Sequence, residues 1–154
     1  MKKAISGTLL FLLMAGCASS QTTVARTTIN AVGLGTSITY RALKTAYVTH
    51  AREVLQELQA SDGTLDDFNA RMEPYDEAVR LLDAFADLLI AGERIVIRME
   101  AGNAGLLDLR AWLGDLINTA SAFVAGLRSI EITPPSQLTA AISAAQALYE
   151  ATAP

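Results

Sequence analysis

The segment Leu106–Ile130, LLDLRAWLGDLINTASAFVAGLRSI, decides the fold of this chain. Side chains that recur at alternating steps of three and four residues share one face of an α-helix. A seam of this kind, sustained along the whole segment, is typical of helices that pack in bundles. We therefore predict a long packed helix whose inward residues are Leu106, Leu109, Leu113, Leu116, Ala120, Phe123, Leu127 and Ile130.

A further helix is predicted well before this segment, from Ser37 to the turn at residues 61–63. Gly63 is expected to take the left-handed conformation of a helix stop. Thr64 then serves as the N-cap of the next helix, with Asp67 three residues later in a capping-box arrangement. The inward stripe of the helix that starts at Ser37 is predicted to be Tyr40, Leu43, Tyr47, His50, Val54 and Leu58.

The helix that follows Thr64 contains Pro74, which removes a backbone hydrogen bond and costs ~3 kcal/mol inside a helix. Two alternatives follow: a short helix that ends before Pro74, or one kinked helix that runs through it. Beyond Pro74 two adjacent apolar seams predict that more than one neighbour covers this helix, which makes it the candidate central helix. The seams are Tyr75, Val79, Leu82, Ala86 and Leu89, and beside them Ala78, Leu81, Phe85, Leu88, Ile95 and Met99.

Short turns connect these helices to one another and to a last, shorter helix. Residues 102–105 form a glycine-rich turn, and Thr133-Pro134-Pro135 ends the long helix and opens the last one. Because short connections force antiparallel neighbours, the predicted fold is all-α, an antiparallel up-down helical bundle of three long helices and one shorter helix in a domain of residues 37–154. The inward residues of the last helix are Leu138, Ile142, Ala145 and Tyr149.

Residues 17–36 precede this domain and are rich in small and polar residues, with Gly33 and Gly35 near their end. One interpretation is a lipidated N-terminus followed by an extended tether, which at ~3.3 Å per residue spans roughly 60 Å. In the other interpretation Val24, Ile29 and Leu34 fold back onto the domain. The composition leaves both alternatives open.

Residues 1–16 have the layout of an export signal. Lys2 and Lys3 give a cationic start, an uncharged apolar run follows, and small residues lead to Cys17. As a helix the apolar run would rise ~18 Å, which is shorter than the ~30 Å hydrocarbon core of a bilayer. We therefore expect a cleaved signal and no transmembrane helix in the mature chain.

The residues Leu13-Met14-Ala15-Gly16-Cys17 resemble the lipobox of bacterial lipoproteins, with Met14 where leucine is usual. The resemblance covers these five residues alone. It implies cleavage after residue 16, acylation of Cys17 by chains such as palmitate, and a protein held in the cell envelope. The residue after the cysteine, Ala18, implies the outer membrane facing the periplasm if the source is Gram-negative.

Cys17 is also the only cysteine of the chain, so it forms no internal disulfide, and lipidation would account for a lone thiol in an exported protein. The alternative is an ordinary secretory signal with an incidental cysteine.

The composition excludes several classes of function. The chain has 154 residues, with 12 Lys and Arg against 16 Asp and Glu and a formal net charge of −4. Counterion release on nucleic acid requires a row of basic residues, and the basic residues here are scattered. The acidity also argues against docking on anionic lipid, so the acyl chains are expected to be the only membrane contact.

Most polar residues that stand out have a structural interpretation. His50, the only histidine, lies on the apolar stripe and is expected at the edge of the core, with a pH-sensitive contact to Pro74 or Tyr75 as the alternative. Turn and capping roles fit Asp62, Asp66 and Asp67 better than a calcium loop. The acidic side of the candidate central helix is read as a solvated face with Asp76 and Arg80 paired; it comprises Glu73, Asp76, Glu77, Asp83 and Asp87.

Arg94 and Arg98 share a helix face, where like charges repel. A tight turn at Asn103 predicts an ion pair between Arg98 and Asp108 and a cation–π contact between Arg94 and Trp112. The functional alternative is an anion site, with Arg94, Arg98 and Trp112 as speculative ligand-binding residues for a carboxylate or phosphate.

No catalytic order of residues is present: Gly33-x-Gly35 lacks both the third glycine and the preceding strand of a nucleotide-binding loop. We therefore expect no enzyme, no cofactor and no metal site. The first hypothesis is a membrane-anchored lipoprotein with a non-catalytic bundle that contacts an envelope protein or its own copy, through the Trp112 side or the outer seam of the central helix. The alternatives are a sensor or carrier that holds a small apolar or anionic ligand between helices, and a phage-derived envelope accessory protein.

Overall fold

The computed structural model describes residues 18–153, with side chains from residue 21 onward. These residues form four α-helices: α1 Ala18–Ala60, α2 Leu65–Glu100, α3 Leu106–Ser129 and α4 Ser136–Ala151. Each helix packs against two others in the closed order α1, α2, α3, α4 and back to α1. The short connections make chain neighbours antiparallel. The predicted fold, an up-down bundle of three long helices and one shorter one, is therefore confirmed.

The start of α1 differs from the sequence prediction. The helix does not begin at Ser37 but runs unbroken from Ala18, and Ala25, Ile29 and Val32 are buried in the common core. From residue 18 onward the packed alternative, rather than the extended tether, describes this segment, although Leu34 itself is exposed.

Buried threonines explain why the sequence of the first part of α1 resembles that of a polar linker. The hydroxyl of Thr36 donates to the carbonyl of Val32, and that of Thr39 donates to the carbonyl of Gly35, each at 2.8 Å. Both side chains are buried. A threonine that bonds the carbonyl four residues earlier satisfies its own hydroxyl within the helix, so a threonine-rich stripe can face a core.

The second helix is continuous through Pro74, so the one-helix alternative describes it. Its two seams face α1 and α3, but the prediction of a central helix is wrong because every helix of the ring has two neighbours. Ala86, assigned to a seam, is exposed, whereas Gly92 and Val96 are buried.

The inward stripes of the other helices are mostly placed as predicted. Leu109 to Ile130 of the decisive segment are buried at the predicted positions, while Leu106 is exposed. In α1, Leu43, Val54 and Leu58 are buried and Tyr40 is exposed. In α4, Leu138 and Ala145 are buried as expected, but Ile142 and Tyr149 are half-buried because the inward face is completed by Ala141 and Leu148.

Three helices end in the same backbone arrangement. A backbone amide donates to the carbonyl five residues earlier, at 2.9 Å for Gly63 to Leu58, 2.7 Å for Asn103 to Arg98 and 2.8 Å for Ile132 to Leu127. The residue before each of these amides is left-handed, namely Asp62, Gly102 and Glu131. The left-handed residue after α1 is therefore Asp62, and the assignment of Gly63 to that role is wrong.

The capping box at the start of α2 is confirmed. The backbone amide of Thr64 donates to the Asp67 carboxylate at 2.9 Å, and the backbone amide of Asp67 donates to the Thr64 hydroxyl at 3.3 Å. The Thr64 hydroxyl also donates to the Asp67 carboxylate, at 2.8 Å. The bond from the Thr64 amide first, and this hydroxyl bond second, hold the pKa of Asp67 below its ordinary value.

Two glycines allow helices to approach closely. A Cβ placed on Gly35 would lie 2.8 Å from the Cα of Leu138, and one on Gly92 would lie 2.3 Å from the Trp112 ring. Gly35 therefore marks the closest passage of α1 over α4, and Gly92 the seat of Trp112 between α2 and α3. Phe85 and Phe123 pack nearby, with ring centroids 6.1 Å apart.

The α1–α2 hairpin is longer than the α3–α4 pair. At 1.5 Å per residue, the 43 and 36 residues of α1 and α2 span about 65 and 54 Å, and the 24 and 16 residues of α3 and α4 span about 36 and 24 Å. The hairpin therefore continues past α3 and α4 to its turn. Val54, Leu58 and Met72 are buried in this extension but lie outside the main core cluster.

Candidate functional site

The predicted lipidation site lies outside the described part of the chain. Residues 1–17 include the signal and Cys17, so cleavage and acylation stay predictions. None of the four helices between residues 18 and 153 has both the length and the apolar character that crossing a bilayer requires.

Trp112, predicted as an interaction or ligand-binding residue, is a core residue. Its side chain is only 3% exposed and its ring lies against Gly92. The indole N–H donates to the carbonyl of Leu88 at 2.6 Å. That carbonyl belongs to α2, so the bond joins α2 to α3. Trp112 itself is therefore not an exposed anchor for a partner.

Arg94 and Arg98 make neither of their predicted contacts. Arg98 donates to the carbonyl of Asn103 at 3.1 Å, at the end of α2. Asp108 accepts the backbone amide of Gly105 at 2.8 Å and so begins α3 instead of pairing with Arg98. Within residues 21–153, the side chain of Arg94 has no ion pair, hydrogen bond or ring contact, and the cation–π contact lies elsewhere, between Arg110 and Tyr149. The structure does not bring Arg94, Arg98 and Trp112 together.

The acidic side of α2 is mostly exposed, as predicted, but its pairing differs. Arg80 pairs with Glu77, three residues earlier, and not with Asp76. Asp76 instead accepts the phenolic hydroxyl of Tyr47 at 3.2 Å. Partial burial, and secondarily this bond to a carboxylate, raises the pKa of Tyr47. Asp76 therefore links α2 to α1.

His50 lies at the edge of the core, and its predicted neighbour Tyr75 is in contact. The two rings stack with centroids 4.7 Å apart and planes inclined by 19°. Tyr47 meets Tyr75 edge-on at 6.2 Å. Burial, followed by the nearby carboxylates of Glu53 and Glu131, raises the pKa of Tyr75.

These rings adjoin an open ledge of about 620 Å³ where the bundle narrows from four helices to two. Ala42, Ala46 and Glu53 line it at helical spacing from Gly35, so it continues the face on which α1 meets α4. The ledge is wide and shallow, and its polar side chains are Arg41, Thr45, Thr49, His50 and Glu53.

The carboxylates at the turn have structural roles. Asp67 caps α2 and Asp62 is the left-handed residue after α1. In the described portion of the chain, no three His, Cys, Asp or Glu side chains are placed to hold a metal ion.

A further open surface is a groove between α1 and α2. It includes Val79 and Leu82 of the predicted α2 seam, whereas its α1 side was not predicted. A depression of about 290 Å³ is lined on α1 by Tyr40, Leu43, Lys44, Tyr47 and Val48, and on α2 by Asp76, Val79, Leu82 and Asp83. A second depression of about 160 Å³ is lined by Arg26, Ile29, Asn30, Glu93, Val96 and Ile97. We call the surface of α1 and α2 that comprises these two depressions and the strip between them the outer groove.

Helical geometry places the outer groove on the side of the hairpin away from α4. Arg26 and Lys44 are 18 residues apart, which is five full turns of 3.6 residues, so they share one face of α1. Gly35, which contacts α4, lies nine residues from each of them, two and a half turns away. The face that lines the groove is thus opposite the face that packs on α4.

No protein-family model, curated protein or solved structure matches this chain. An interaction role for the outer groove is therefore inferred from its structure alone. It is notable for exposed apolar side chains: Tyr40 is 52% exposed, Val48 40%, Ile90 50% and Ile97 58%. Side chains of this kind, when contiguous on a surface, mark interaction sites.

A weak signal for this surface was present in the sequence. On α2, Asp76, Asp83, Ile90 and Ile97 follow one another at intervals of seven residues, as do Leu34, Arg41, Val48 and Leu55 on α1. Such stripes lie on one helix face. Both mix charged with apolar residues, so neither stands out from a solvated face until the helices are placed beside each other.

Proposed function

We propose that this protein is a lipid-anchored protein of the bacterial cell envelope whose helical bundle is a non-catalytic interaction module. The anchor rests on the resemblance of Leu13–Cys17 to a lipobox. The interaction role rests on one observation, the exposed apolar side chains along the outer groove. Ala18 after the cysteine supports the outer membrane in a Gram-negative source.

The start of α1 determines how such an anchor would hold the bundle. Because α1 begins at Ala18, an acylated Cys17 would join the membrane directly to a packed helix, without a flexible linker. The turn between α2 and α3 and the end of α4 lie at the same end of the bundle as Ala18. The turn at residues 61–64 lies at the other end, about 65 Å along α1 at 1.5 Å per residue, so the outer groove would extend from the anchored end of the bundle toward its far end.

Carriage of a small ligand between helices receives less support. That alternative assigned the ligand to Arg94, Arg98 and Trp112, and these residues lie apart from one another. The interior between the helices is filled by residues such as Phe85, Leu113 and Phe123, which are fully buried. No feature of the described residues favours the phage-derived alternative over the first.

The anchor is tested by feeding cells a clickable palmitate analogue and comparing the wild-type full chain with Cys17→Ala. We expect label and membrane recovery for the wild type and neither for the variant. Ser19→Ala is the matched control, since it changes a neighbouring residue and leaves Leu13–Cys17 intact. Equal labelling of wild type and Cys17→Ala would refute the anchor.

The interaction role is tested by cross-linking intact cells and recovering the full chain through an affinity tag. We expect adducts with defined protein partners or with a second copy. A chain that stays free of protein adducts, with photoreactive groups placed at Tyr40 and at Ile97 in turn, would refute that role.

A further inference from the structure

Around the larger depression of the outer groove the two helices carry charges of opposite sign. Lys44 lines the groove on α1, with Arg41 and Arg52 beside it, as a basic rim, and Asp76 and Asp83 line it on α2, with Asp87 beside them, as an acidic rim. All six side chains are exposed. Arg80, on this part of α2, is paired with Glu77, and Arg94 lies farther along α2 at the level of the smaller depression.

Among residues 21–153, the side chains of Arg41, Lys44, Asp83 and Asp87 have no ion-pair or hydrogen-bond partner. Around the larger depression the unpaired charges are thus basic on α1 and acidic on the antiparallel α2.

We propose that the outer groove binds the outer groove of a second copy of this chain, in a symmetric dimer whose two-fold axis runs along the groove. A two-fold interface is self-complementary, because the same patch is used on both subunits. Rotation about an axis along the groove lays α1 of one copy over α2 of the other. The basic rim of each copy then faces the acidic rim of its partner.

The register within one copy carries over to the dimer, because rotation about this axis leaves the height along the helices unchanged. Tyr47 bonds Asp76, and Arg26 pairs with Glu100 at 2.9 Å, which fixes the relative heights of α1 and α2. By that register Lys44 and Arg41 lie at the level of Asp83. The dimer therefore places Lys44 and Arg41 of one copy against Asp83 of the other.

The apolar residues follow the same register. Ile90 of one copy comes to the level of Leu34 in the other, and Val48 comes to the level of Val79. Leu34 and Ile90 are at least half exposed in the single chain. The paired hairpins make a second four-helix arrangement in which each α1 lies beside an antiparallel α2 of the other copy, the packing already used inside the bundle.

The direction of the axis also suits the proposed anchor, and in this respect the inference rests on the proposed function. Because the axis is parallel to the helices, both copies present Ala18 at the same end. Both acylated cysteines would then enter one membrane. A two-fold axis across the helices would send the two anchors in opposite directions.

The test is the molar mass of the full chain, extracted in mild detergent, by light scattering after size exclusion. We expect twice the chain mass for the wild type, and a lower mass as salt is raised, because exposed charge pairs are screened. Reversing one rim, as Arg41→Glu with Lys44→Glu or as Asp83→Lys with Asp87→Lys, faces like charges across the interface and should weaken the dimer at least about tenfold.

The decisive step is to mix the two reversed variants. One has two acidic rims and the other two basic rims, so the mixture should restore a mass of two chains as a heterodimer. Arg128→Glu with Asp115→Lys, on α3, is the matched control and should dimerise like the wild type. If a reversed variant loses its helical circular dichroism, the milder variants Lys44→Gln and Asp83→Asn take its place, and their molar mass is measured in the same way.

The failures are distinguishable. A monomeric wild type that is still acylated and still cross-links to another protein overturns the second copy and leaves the proposed function in place. A dimer that the rim variants do not weaken overturns this surface, and so do folded variants that fail to pair on mixing. A chain without lipid that dimerises as described refutes the anchor alone.

Discussion

Substitution of Gly35 by alanine probes whether the first half of α1 is packed against α4. The added Cβ would lie 2.8 Å from the Cα and 2.9 Å from the backbone nitrogen of Leu138. Because the obstacle is backbone, no rotamer change relieves it, and the two helices must separate. Overpacking of this kind costs about 1–3 kcal/mol. Alanine also gains about 1 kcal/mol of helix propensity over glycine, so the net loss of stability should be about 0–2 kcal/mol.

Gly33→Ala is the matched control two residues away on the same helix. Nothing lies within 4 Å of a Cβ at that position, so only the propensity gain of about 1 kcal/mol remains. Urea unfolding of the full chain, followed by far-ultraviolet circular dichroism, should therefore place Gly35→Ala about 1–3 kcal/mol below Gly33→Ala in unfolding free energy. If Gly35→Ala is as stable as Gly33→Ala, residues 18–36 do not pack on α4, and the extended tether returns.

Three further predictions concern packing, a helix end and a cap. Gly92→Ala places a Cβ 2.3 Å from the Trp112 ring. It should lower the unfolding free energy by about 1–3 kcal/mol and change the indole fluorescence. An unchanged fluorescence spectrum and an unchanged stability would contradict the packing of Trp112 against Gly92. Glu131→Gly removes a left-handed side chain at φ 59° and should raise the unfolding free energy by about 1 kcal/mol in thermal melts, whereas a loss would refute the strain. Asp67→Asn should destabilise the chain at neutral pH. Because the pKa of Asp67 is lowered in the folded state, its contribution to stability is present above the unfolded-state pKa and is lost as the pH falls through the folded-state pKa. Unfolding curves of variant and wild type that still differ in strong acid would contradict the capping role.

The fold was within reach of the sequence because its strongest signals are local. The seam from Leu109 to Ile130 is buried as its spacing predicts, and the box of Thr64 and Asp67 begins α2 at the predicted residue. Both signals depend on interactions inside one helix or one turn. Tertiary context changes them little.

The start of α1 was missed because its core stripe is built from small and polar residues. Thr28, Thr36 and Thr39 are buried, and Gly35 is buried against Leu138. In the sequence these residues weaken the apolar period and resemble a linker. These residues are buried only because a neighbouring helix packs closely against them.

The candidate site escaped sequence reasoning for a related physical cause. Trp112 was assigned to a surface because a lone tryptophan suits an interface anchor, but the carbonyl of Leu88 satisfies its N–H inside the core. The outer groove, in contrast, is formed by residues of two helices that are about 30 to 70 positions apart in the sequence. Its opposite rims exist only once α1 and α2 are side by side, so neither helix predicts it alone.

Cross-linking from the outer groove in native membranes tests the account most directly. A photoreactive amino acid at Val48 of the full chain, with one at Asp115 on α3 as control, would be activated in intact cells. The account predicts an adduct of two chains from Val48 alone, mapped by mass spectrometry to α2 near Val79 and lost on Arg41→Glu with Lys44→Glu. Adducts only with other proteins, or equal dimer adducts from both positions, would contradict it.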